Sequence, residues 1–336
     1  MLRPSEQPLS SAYDLAVLDL DGVVYVGGTA VDHAADVLDR TRSAGLQVAF
    51  VTNNAARTPM SVAEHLAELG IRAEPGDVVT SAQAAAGLLA RQLDPGASVF
   101  VIGDDGLSWA VRERGLVPVT EAAEHIAAVV QGYGPQMPWR RVVDGALLVR
   151  AGLPWVATNM DLTLPTPRGP GPGNGTLVEL VATYAGRSPQ VAGKPEPALF
   201  EETVERVGGE HPLVVGDRLD TDIAGATRVG WDSLLVLTGV TGLPELVGAG
   251  TDGRPTFLGS DLRSLERAHG VPEHAEGAWR LGGWSASVAD RKLTVSGAGE
   301  VDDWWRVVAV AAWEQLDRGT GPVETGDLRP PGSASR

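Results

Sequence analysis

The sequence predicts an α/β protein built on a mostly parallel sheet. Between residues 15 and 237, short β-branched or Leu-rich runs alternate with helical stretches, which is typical of parallel strands joined by helices. Helix punctuation is present, since Thr58-Pro59 opens one helix and Gly70 directly follows its end. The 336 residues, of which 43% are hydrophobic, match about two domains with cores of useful size.

Composition and charge argue against several classes of function. The chain has 27 basic and 43 acidic residues, a formal net charge of −16, which disfavours binding to nucleic acids or anionic membranes. The absence of cysteine excludes disulfides, thiolate nucleophiles and Cys-ligated metals. The N-terminus has no apolar stretch of the kind found in signal peptides, and the longest apolar run, Val307–Trp313, is too short to cross a bilayer. We therefore expect a cytoplasmic protein.

Periodicity and turn residues place the individual elements. The apolar runs that we predict as strands are Leu15–Asp19, Gln47–Thr52, Ser98–Gly103, Ile126–Gln131, Trp155–Thr158, Leu213–Val215 and Ser233–Leu237. The stretches that we predict as helices are Asp32–Ala44, Pro59–Leu69, Ala82–Leu93, Leu107–Arg114, Trp139–Arg150, Leu177–Ala185, Pro195–Val207 and Thr221–Val229. The Pro/Gly-rich stretch Pro165–Gly175 lies inside this alternation, so we interpret it as a surface loop.

The C-terminal part has a different pattern. Residues 245–275 are rich in Gly, Pro and charge and are predicted to be a connector. Trp279–Leu281 and Arg291–Val295 are candidate strands, and apolar residues from Val301 to Leu316 fall on one helical face. Five of the nine tryptophans lie between residues 279 and 313. We expect a small α/β module over residues 275–320, with a structural or dimer-contacting role favoured over acetyl transfer.

Two carboxylates stand at the end of the first predicted strand. Asp19 closes the apolar run and Asp21 follows it, just before Gly22. The carboxyl end of a strand is where ligands bind in open α/β sheets. One nucleophilic and one proton-shuttling carboxylate are what acyl-phosphate chemistry requires. An ordinary strand end with an Asp/Gly turn is the alternative.

The second predicted strand also ends in polar residues. Thr52, Asn53 and Asn54 follow its apolar part, and a hydroxyl with exposed backbone N–H groups suits a phosphate oxygen. A capped turn explains the same residues without any function.

Lys194 lies in the segment Gly193-Lys194-Pro195-Glu196-Pro197, which leads into a predicted helix. Of the 27 basic residues only two are lysine, so a compact point charge is favoured at this position. Such an ammonium could neutralise a phosphoryl group and the Asp19 carboxylate. A solvated surface lysine is the alternative.

A further strand ends in Gly216-Asp217, and Asp222 follows five residues later. Carboxylate oxygens suit Mg²⁺, which prefers few protein ligands and keeps several waters. Asp220 has a simpler explanation as the cap of the following helix.

Taken in order, these four segments resemble the sequence motifs of the haloacid dehalogenase superfamily of aspartate-nucleophile phosphatases. The dehalogenases proper lack the second aspartate of the first motif, so Asp21 points to phosphoryl transfer. The resemblance covers about residues 12–260 and implies a Rossmann-like core, residues 1–83 and 189–260, with an inserted α/β cap over residues 84–188. The cap segment Ala157–Asp161 is similar to the branch that contains p-nitrophenylphosphatases, phosphoglycolate phosphatases and glycerol-3-phosphate phosphatases. Gln136 replaces a histidine that relatives often have.

The resemblance implies a role for each residue. Asp19 is the expected nucleophile and Asp21 the general acid and base. Mg²⁺ would be held by Asp19, by the backbone carbonyl of Asp21 and by Asp217, with Asp222 ordering its waters. The residues expected to bind substrate are Lys194, Thr52, Asn53 and Asn54, joined in the cap by Asn159, Asp161 and Gln136.

The expected substrate is a small phosphate monoester, with glycerol 3-phosphate favoured. Phosphoglycolate and sugar phosphates stay open as substrates, as does a phosphotransferase reaction through the same aspartyl-phosphate. A protein that only binds a phosphorylated ligand is the non-enzymatic alternative. A homodimer is possible, and no nucleic-acid or membrane partner is expected.

Overall fold

The computed structural model describes residues 2–121, 125–166, 168–319, 321–326 and 328–331. Its strands are β1 (Leu15–Asp19), β2 (Tyr25–Val26), β3 (Thr29–Ala30), β4 (Gln47–Thr52), β5 (Val78–Thr80), β6 (Ser98–Ile102), β7 (Val117–Val119), β8 (Ile126–Gln131), β9 (Trp155–Ala157), β10 (Thr163–Thr166), β11 (Gly169–Pro172), β12 (Gln190–Val191), β13 (Pro212–Gly216), β14 (Asp232–Val236), β15 (Phe257–Gly259), β16 (Glu273–Ala275), β17 (Ala278–Leu281), β18 (Trp284–Ala289) and β19 (Lys292–Gly297).

Its helices are α1 (Leu9–Ala12), α2 (Ala34–Ser43), α3 (Pro59–Glu68), α4 (Ser81–Ala90), α5 (Asp105–Glu113), α6 (Trp139–Arg150), α7 (Asn174–Ala185), α8 (Pro197–Val207), α9 (Ala224–Val229), α10 (Leu243–Val247) and α11 (Val301–Asp317). This alternation confirms the predicted α/β class. No helix among the described residues is long and apolar enough to span a bilayer.

The chain divides into two compact units, Met1–Val48 with Gly209–Arg336, and Ala49–Gly208. The predicted cap, residues 84–188, lies within the second unit, which also includes residues 49–83 and 189–208. The predicted domain boundaries follow the family's insertion pattern rather than contact density, and they stay a prediction.

The first unit contains parallel strands in the order β15-β14-β13-β1. Strands β1 and β13 are almost entirely buried, as expected of parallel strands that are covered on both faces. Leu18 is paired with Val215, so the residues that follow them, Asp19 and Gly216, reach the same edge of the sheet.

The C-terminal module is part of the core of the first unit. The antiparallel sheet β16-β17-β18-β19 and strand β15 both contact α11, and α11 is buried over nearly its whole length. Its middle part, residues 307–313, is buried and entirely apolar, which is typical of a helix inside a core. The prediction that residues 245–275 form a connector was wrong in part, because β15 pairs with β14 in the parallel sheet of this unit. The sequence pattern missed this strand because it is only three residues long.

The second unit has a parallel five-stranded sheet in the order β12-β9-β8-β6-β7 and the parallel pair β4-β5. Helices α6 and α7 pack on the apolar residues of the larger sheet. The stretch predicted as a plain loop, Pro165–Gly175, contributes to a two-stranded hairpin of β10 and β11. The prediction missed it because Gly and Pro dominate these strands, while main-chain pairing requires no side-chain pattern.

Candidate active site

Three carboxylates come together in the first unit. Asp19 ends β1, Asp217 directly follows β13, and Asp222 lies in the π-helical turn Leu219–Ile223. Oxygen atoms of the three side chains lie within 4.8 Å of one another. Asp217 and Asp222 are 0% and 1% exposed. The sheet thus brings together acidic residues that are about 200 positions apart in the sequence.

This trio fits a divalent cation. Like charges held this close in a buried site repel one another unless a cation neutralises them, and oxygen-only ligands suit Mg²⁺. The backbone leaves room for the carboxylates, because a Cβ atom added at Gly22 would clash with Asp217 and one added at Gly216 would clash with Asp222.

Backbone N–H groups fix the two buried carboxylates. The N–H of Val240 donates to Asp217 Oδ2 at 2.6 Å, and the N–H of Arg218 donates to Asp222 Oδ2 at 3.1 Å. Hydrogen bonds of this kind hold a carboxylate in one rotamer and stabilise its ionised form.

Asp220 is outside the trio. Its carboxylate accepts two hydrogen bonds from the Arg218 guanidinium, at 3.0 and 2.7 Å. This partner holds the pKa of Asp220 below its ordinary value. Helix α9 begins at Ala224, so Asp220 does not cap it as the simpler explanation suggested.

Asp21 lies in the loop after β1 and is exposed. The next residue, Gly22, has φ +88, a conformation that residues with a Cβ rarely adopt. The N–H of Gly22 donates to the carbonyl of Tyr25 at 2.8 Å. An exposed carboxylate on a turn of defined shape is suited to proton transfer.

Asn53 organises a second cluster, in the other unit. Its side chain holds the main chain of Lys194 on both sides: Oδ1 accepts the Lys194 N–H at 2.8 Å and Nδ2 donates to the Lys194 carbonyl at 3.1 Å. Gly193 is required here because a Cβ atom would clash with the Thr158 carbonyl and approach Asn53 Oδ1 to 2.5 Å. Lys194 itself is 3% exposed.

Two of the predicted cap residues belong to this cluster. Asn159 Nδ2 donates to the Asn53 carbonyl at 2.7 Å, and Asp161 Oδ2 accepts from Asn53 Nδ2 at 3.1 Å. Asn159 Oδ1 also accepts the Asp161 N–H at 3.1 Å. The structure therefore shows both residues bracing the Asn53 segment.

The other predicted binding residues differ in setting. Thr52 is buried, and its Oγ1 accepts the N–H of Asn54 at 3.0 Å, which leaves the hydroxyl hydrogen to be donated elsewhere. This bond engages the Asn54 N–H that was expected to face phosphate. Gln136 is exposed in a turn after β8.

Several residues that matter to these clusters carried no catalytic pattern in the sequence. Ser81 Oγ donates to the Asn53 carbonyl at 2.7 Å, and Asn174 Nδ2 donates to the Asn159 carbonyl at 2.8 Å. Thr238 and Gly239 lie just beyond β14. Their position directly after a predicted strand is the one signal in the sequence that could have marked them as site residues.

Comparison with known proteins agrees with this geometry. Residues 16–117 match a family model described as haloacid dehalogenase-like hydrolase, and residues 191–265 match a HAD-hydrolase-like model. D-glycerol 3-phosphate phosphatase of Mycobacterium tuberculosis is 44% identical over 334 residues, which cover 96% of this chain and 93% of the relative. The chain belongs to the haloacid dehalogenase-like hydrolases and is a phosphatase of that family.

Solved structures and a further relative extend the comparison. The crystal structure of the M. tuberculosis glycerol phosphate phosphatase in complex with magnesium is 43% identical, with a TM-score of 0.83 and coverage of 93% of both chains. Acid sugar phosphatase of Staphylococcus aureus is 38% identical over 74% of this chain and 95% of its own. The p-nitrophenyl phosphatase of Archaeoglobus fulgidus is 27% identical, with a TM-score of 0.70 over 75% and 98% of the two chains.

These matches confirm the predicted family, fold and use of Mg²⁺. They also separate two lengths of relative. The staphylococcal and archaeal proteins are almost wholly covered yet match only three quarters of this chain, and both family models end by residue 265. The mycobacterial relative matches nearly all of it.

Proposed function

We propose that this phosphatase hydrolyses glycerol 3-phosphate through an aspartyl-phosphate intermediate on Asp19. The observation that carries the chemistry is the trio of carboxylates in which Asp19 stands beside the buried Asp217 and Asp222. The extensive similarity to a D-glycerol 3-phosphate phosphatase, which includes the C-terminal part of the chain, supports this choice of substrate.

Asp19 performs the covalent step. Its carboxylate oxygen attacks phosphorus, and the bond from phosphorus to the glycerol oxygen breaks. Asp21 gives its proton to the departing alkoxide. Asp21 then accepts a proton from the water that attacks the aspartyl-phosphate, so that phosphate and the free Asp19 carboxylate are released.

The residues that would hold Mg²⁺ are Asp19 and Asp217 by their carboxylates, Asp21 by its backbone carbonyl, and Asp222 through bound water. When bound, the ion neutralises charge on the phosphoryl oxygens and on Asp19, so that the two anions can approach.

Lys194 and Thr52 hold the transferring phosphoryl group. The Lys194 ammonium supplies a compact positive charge to the phosphoryl oxygens. The Thr52 hydroxyl has one hydrogen to donate. The backbone N–H of Asn53 is a further donor to this group. Asn159, Asp161 and Gln136 act from the cap, residues 84–188, in choosing the leaving group.

Other phosphate monoesters distinguish the alternatives. Phosphoglycolate or a sugar phosphate would be hydrolysed faster than glycerol 3-phosphate if the leaving-group site is built for them. A sugar phosphate is included because the staphylococcal relative is named acid sugar phosphatase. A phosphotransferase would release little free phosphate until an acceptor alcohol is added.

The test is the substitution Asp19→Asn. We expect phosphate release from glycerol 3-phosphate to fall by at least about 10⁴-fold, because the amide is a poor nucleophile and the covalent intermediate does not form. The thermal unfolding temperature should change little. Asp39→Asn on α2, an exposed aspartate of the same unit, is the matched control. Activity within tenfold of the unaltered enzyme would exclude Asp19 as nucleophile.

We further propose that two copies of the chain associate and that the enzyme acts in the cytoplasm. The surface that supports self-association is a stripe on α6, where Trp139, Val143 and Leu147 are 62%, 40% and 50% exposed. Exposed apolar patches of this kind often mark interfaces. Light scattering on the purified protein and fractionation of cells measure these two properties.

A further inference from the structure

The segment Thr238–Thr241, which follows β14, contacts both the loop that carries Asp21 and the carboxylate of Asp217. β14 is the direct neighbour of β13, which leads to Asp217. The hydroxyl of Thr238 donates a short hydrogen bond to the carbonyl of Gly22, the residue next to Asp21. Two residues later, the N–H of Val240 donates to Asp217 Oδ2 at 2.6 Å.

Two more contacts fix this segment on Asp217. The N–H of Thr241 donates to the Asp217 carbonyl at 3.2 Å, so the main chain and the side chain of Asp217 are held from one strip of backbone. Gly239 lies so close that an added Cβ atom would clash with the Asp217 carboxylate and lie 2.8 Å from Gly22 Cα. Any residue other than glycine would therefore displace Asp217 or Gly22.

We propose that Thr238 is a positioning residue that holds the Asp21 loop at a defined distance from Asp217. Its hydroxyl holds the loop, the Val240 N–H holds the Asp217 carboxylate, and Gly239 leaves room for that carboxylate. This role rests on the proposed function, in which Asp21 protonates the leaving oxygen. Thr238 acts through the Gly22 carbonyl and touches neither substrate nor metal.

The physical consequence is specific to proton transfer. General acid catalysis contributes about 10²–10⁴-fold, and a misplacement of about 1 Å can cost roughly 10²-fold. Without the Thr238 hydroxyl, the Gly22 carbonyl loses its donor and the Asp21 loop gains freedom. The Asp217 carboxylate keeps the Val240 N–H, because that bond comes from the main chain.

The experiment compares two leaving groups. An alkoxide such as that of glycerol needs a proton to depart, whereas p-nitrophenolate departs without one. In Thr238→Val, we expect the single-turnover rate of leaving-group release to fall roughly 10- to 100-fold with glycerol 3-phosphate and no more than about threefold with p-nitrophenyl phosphate. Leaving-group release is the step to compare, because the later attack of water uses Asp21 with both substrates. KM should stay within about twofold. Mg²⁺ binding, measured by calorimetry with the metal alone, should also be unchanged. Thr238→Ser, which restores the hydroxyl, should recover the rate.

Gly239→Ala supplies the opposite result. The added methyl group pushes on Asp217, so the affinity for Mg²⁺ in the same calorimetric titration should fall about tenfold or more. Thr41→Val is the matched control, since the buried Thr41 hydroxyl donates to the Leu38 carbonyl at 3.1 Å within α2, and it should leave the ratio of the two substrates unchanged. If Thr238→Val does not fold, Thr238→Ala removes the same hydroxyl with less bulk and gives the same test.

The outcomes separate the two proposals. Equal loss on both substrates, or no loss, in a folded Thr238→Val enzyme would overturn the role of Thr238 while Asp19→Asn remained inactive. If Asp19→Asn retains activity, the proposed reaction itself fails, whatever the Thr238 variants show.

Discussion

Lys194 depends on a neighbour that no charge pattern reveals. The sequence marks Lys194 by its rarity among the basic residues, yet its main chain is held at both the N–H and the carbonyl by Asn53, 141 positions away. Asn53 also joins Asp161 and Asn159 to the same cluster. The position of the Lys194 main chain is therefore fixed by an amide side chain.

Asn53→Ala should weaken the binding of inorganic phosphate. Removal of two hydrogen bonds to the Lys194 main chain is worth roughly 1–3 kcal/mol, so inhibition by inorganic phosphate should weaken about tenfold. The measurement is the inhibition constant of inorganic phosphate in the hydrolysis assay.

Gln92→Ala is the control for Asn53→Ala. Its exposed side-chain amide donates to Gln190 Oε1 at 2.9 Å in the same unit. An inhibition constant that is the same in Asn53→Ala as in the unaltered enzyme would show that Asn53 does not position Lys194.

The chemistry-bearing residues were predictable because charged side chains at the ends of apolar strands are visible in the sequence. Asp19, Asp217 and Asp222 were predicted in this way, and the structure brings them together. Their uncharged supports were not predictable. Thr238, Ser81 and Asn174 have side chains that are common in ordinary turns, and only the folded chain shows which carbonyl each one reaches.

Among the secondary-structure elements, α11 is joined to strand β15 and the residue after it by two buried charged side chains. Asp302 Oδ1 accepts the Ser260 N–H at 2.8 Å, and Arg306 Nε donates to the Leu258 carbonyl at 3.0 Å. Both side chains are buried. A buried charged group that loses its partner destabilises the fold by several kcal/mol. These two hydrogen bonds therefore fix the position of α11 against β15.

His269 makes the stability of this joint depend on pH. Its Nδ1 accepts from Arg306 at 3.0 Å, and its Nε2 N–H donates to the Ser264 carbonyl at 2.9 Å. Burial, followed by repulsion from Arg306, lowers the pKa of His269 to about 4. Between pH 6.5 and 4 the unfolded chain takes up a proton that the folded chain does not. The free energy of unfolding should therefore decrease as the pH is lowered from 6.5 to 4, by at most about 3 kcal/mol.

His269→Gln should flatten that dependence. A glutamine amide can accept from Arg306 and donate to Ser264 but does not titrate, so urea unfolding at pH 7 and pH 4.5 should differ less than in the unaltered protein. His274→Gln, at an exposed histidine of β16, should keep the full dependence. Parallel pH profiles for His269→Gln and the unaltered protein would contradict the assignment.

Short or Gly-rich elements were the ones that sequence patterns missed. Strand β15 has three residues, and the β10–β11 hairpin is built largely from Pro and Gly. Neither offers the alternation that identifies a strand. Strand β15 pairs with Leu234–Val236 of β14, and β10 pairs with β11. Main-chain hydrogen bonds in the folded sheets decide these pairings.

For the whole molecule, the C-terminal module is an integral part of the first unit rather than an appendage. Buried residues of α11 form one cluster with Leu235, Leu246 and Leu258, and Trp313 Nε1 donates to the Leu246 carbonyl at 2.8 Å. The structural role expected for this module is thereby supported. An acetyl-transfer role would require the full-length protein to bind acetyl-CoA.

A chain that ends at residue 265 should not fold stably, although shorter relatives match about that length. Removal of α11 exposes the apolar cluster. Each large buried side chain contributes about 1.5–3 kcal/mol, and the sum over the large side chains of α11 is comparable to the whole stability of a typical domain, about 5–15 kcal/mol. Soluble yield and thermal unfolding measure this. A chain that ends at residue 331 is the control, and a fully active, stable protein of 265 residues would show that the module is dispensable.

The sequence by itself determined the α/β class and the family, and it marked the three acidic residues that come together in the first unit, because strand periodicity and charges at strand ends are local properties. Tertiary structure alone decided three things: that Asn53 holds Lys194, that Thr238–Thr241 contacts both Gly22 and Asp217, and that α11 belongs to the core. Each depends on main-chain groups brought together across long stretches of chain, and a carbonyl or an N–H is identical at every position of a sequence until folding gives it a neighbour.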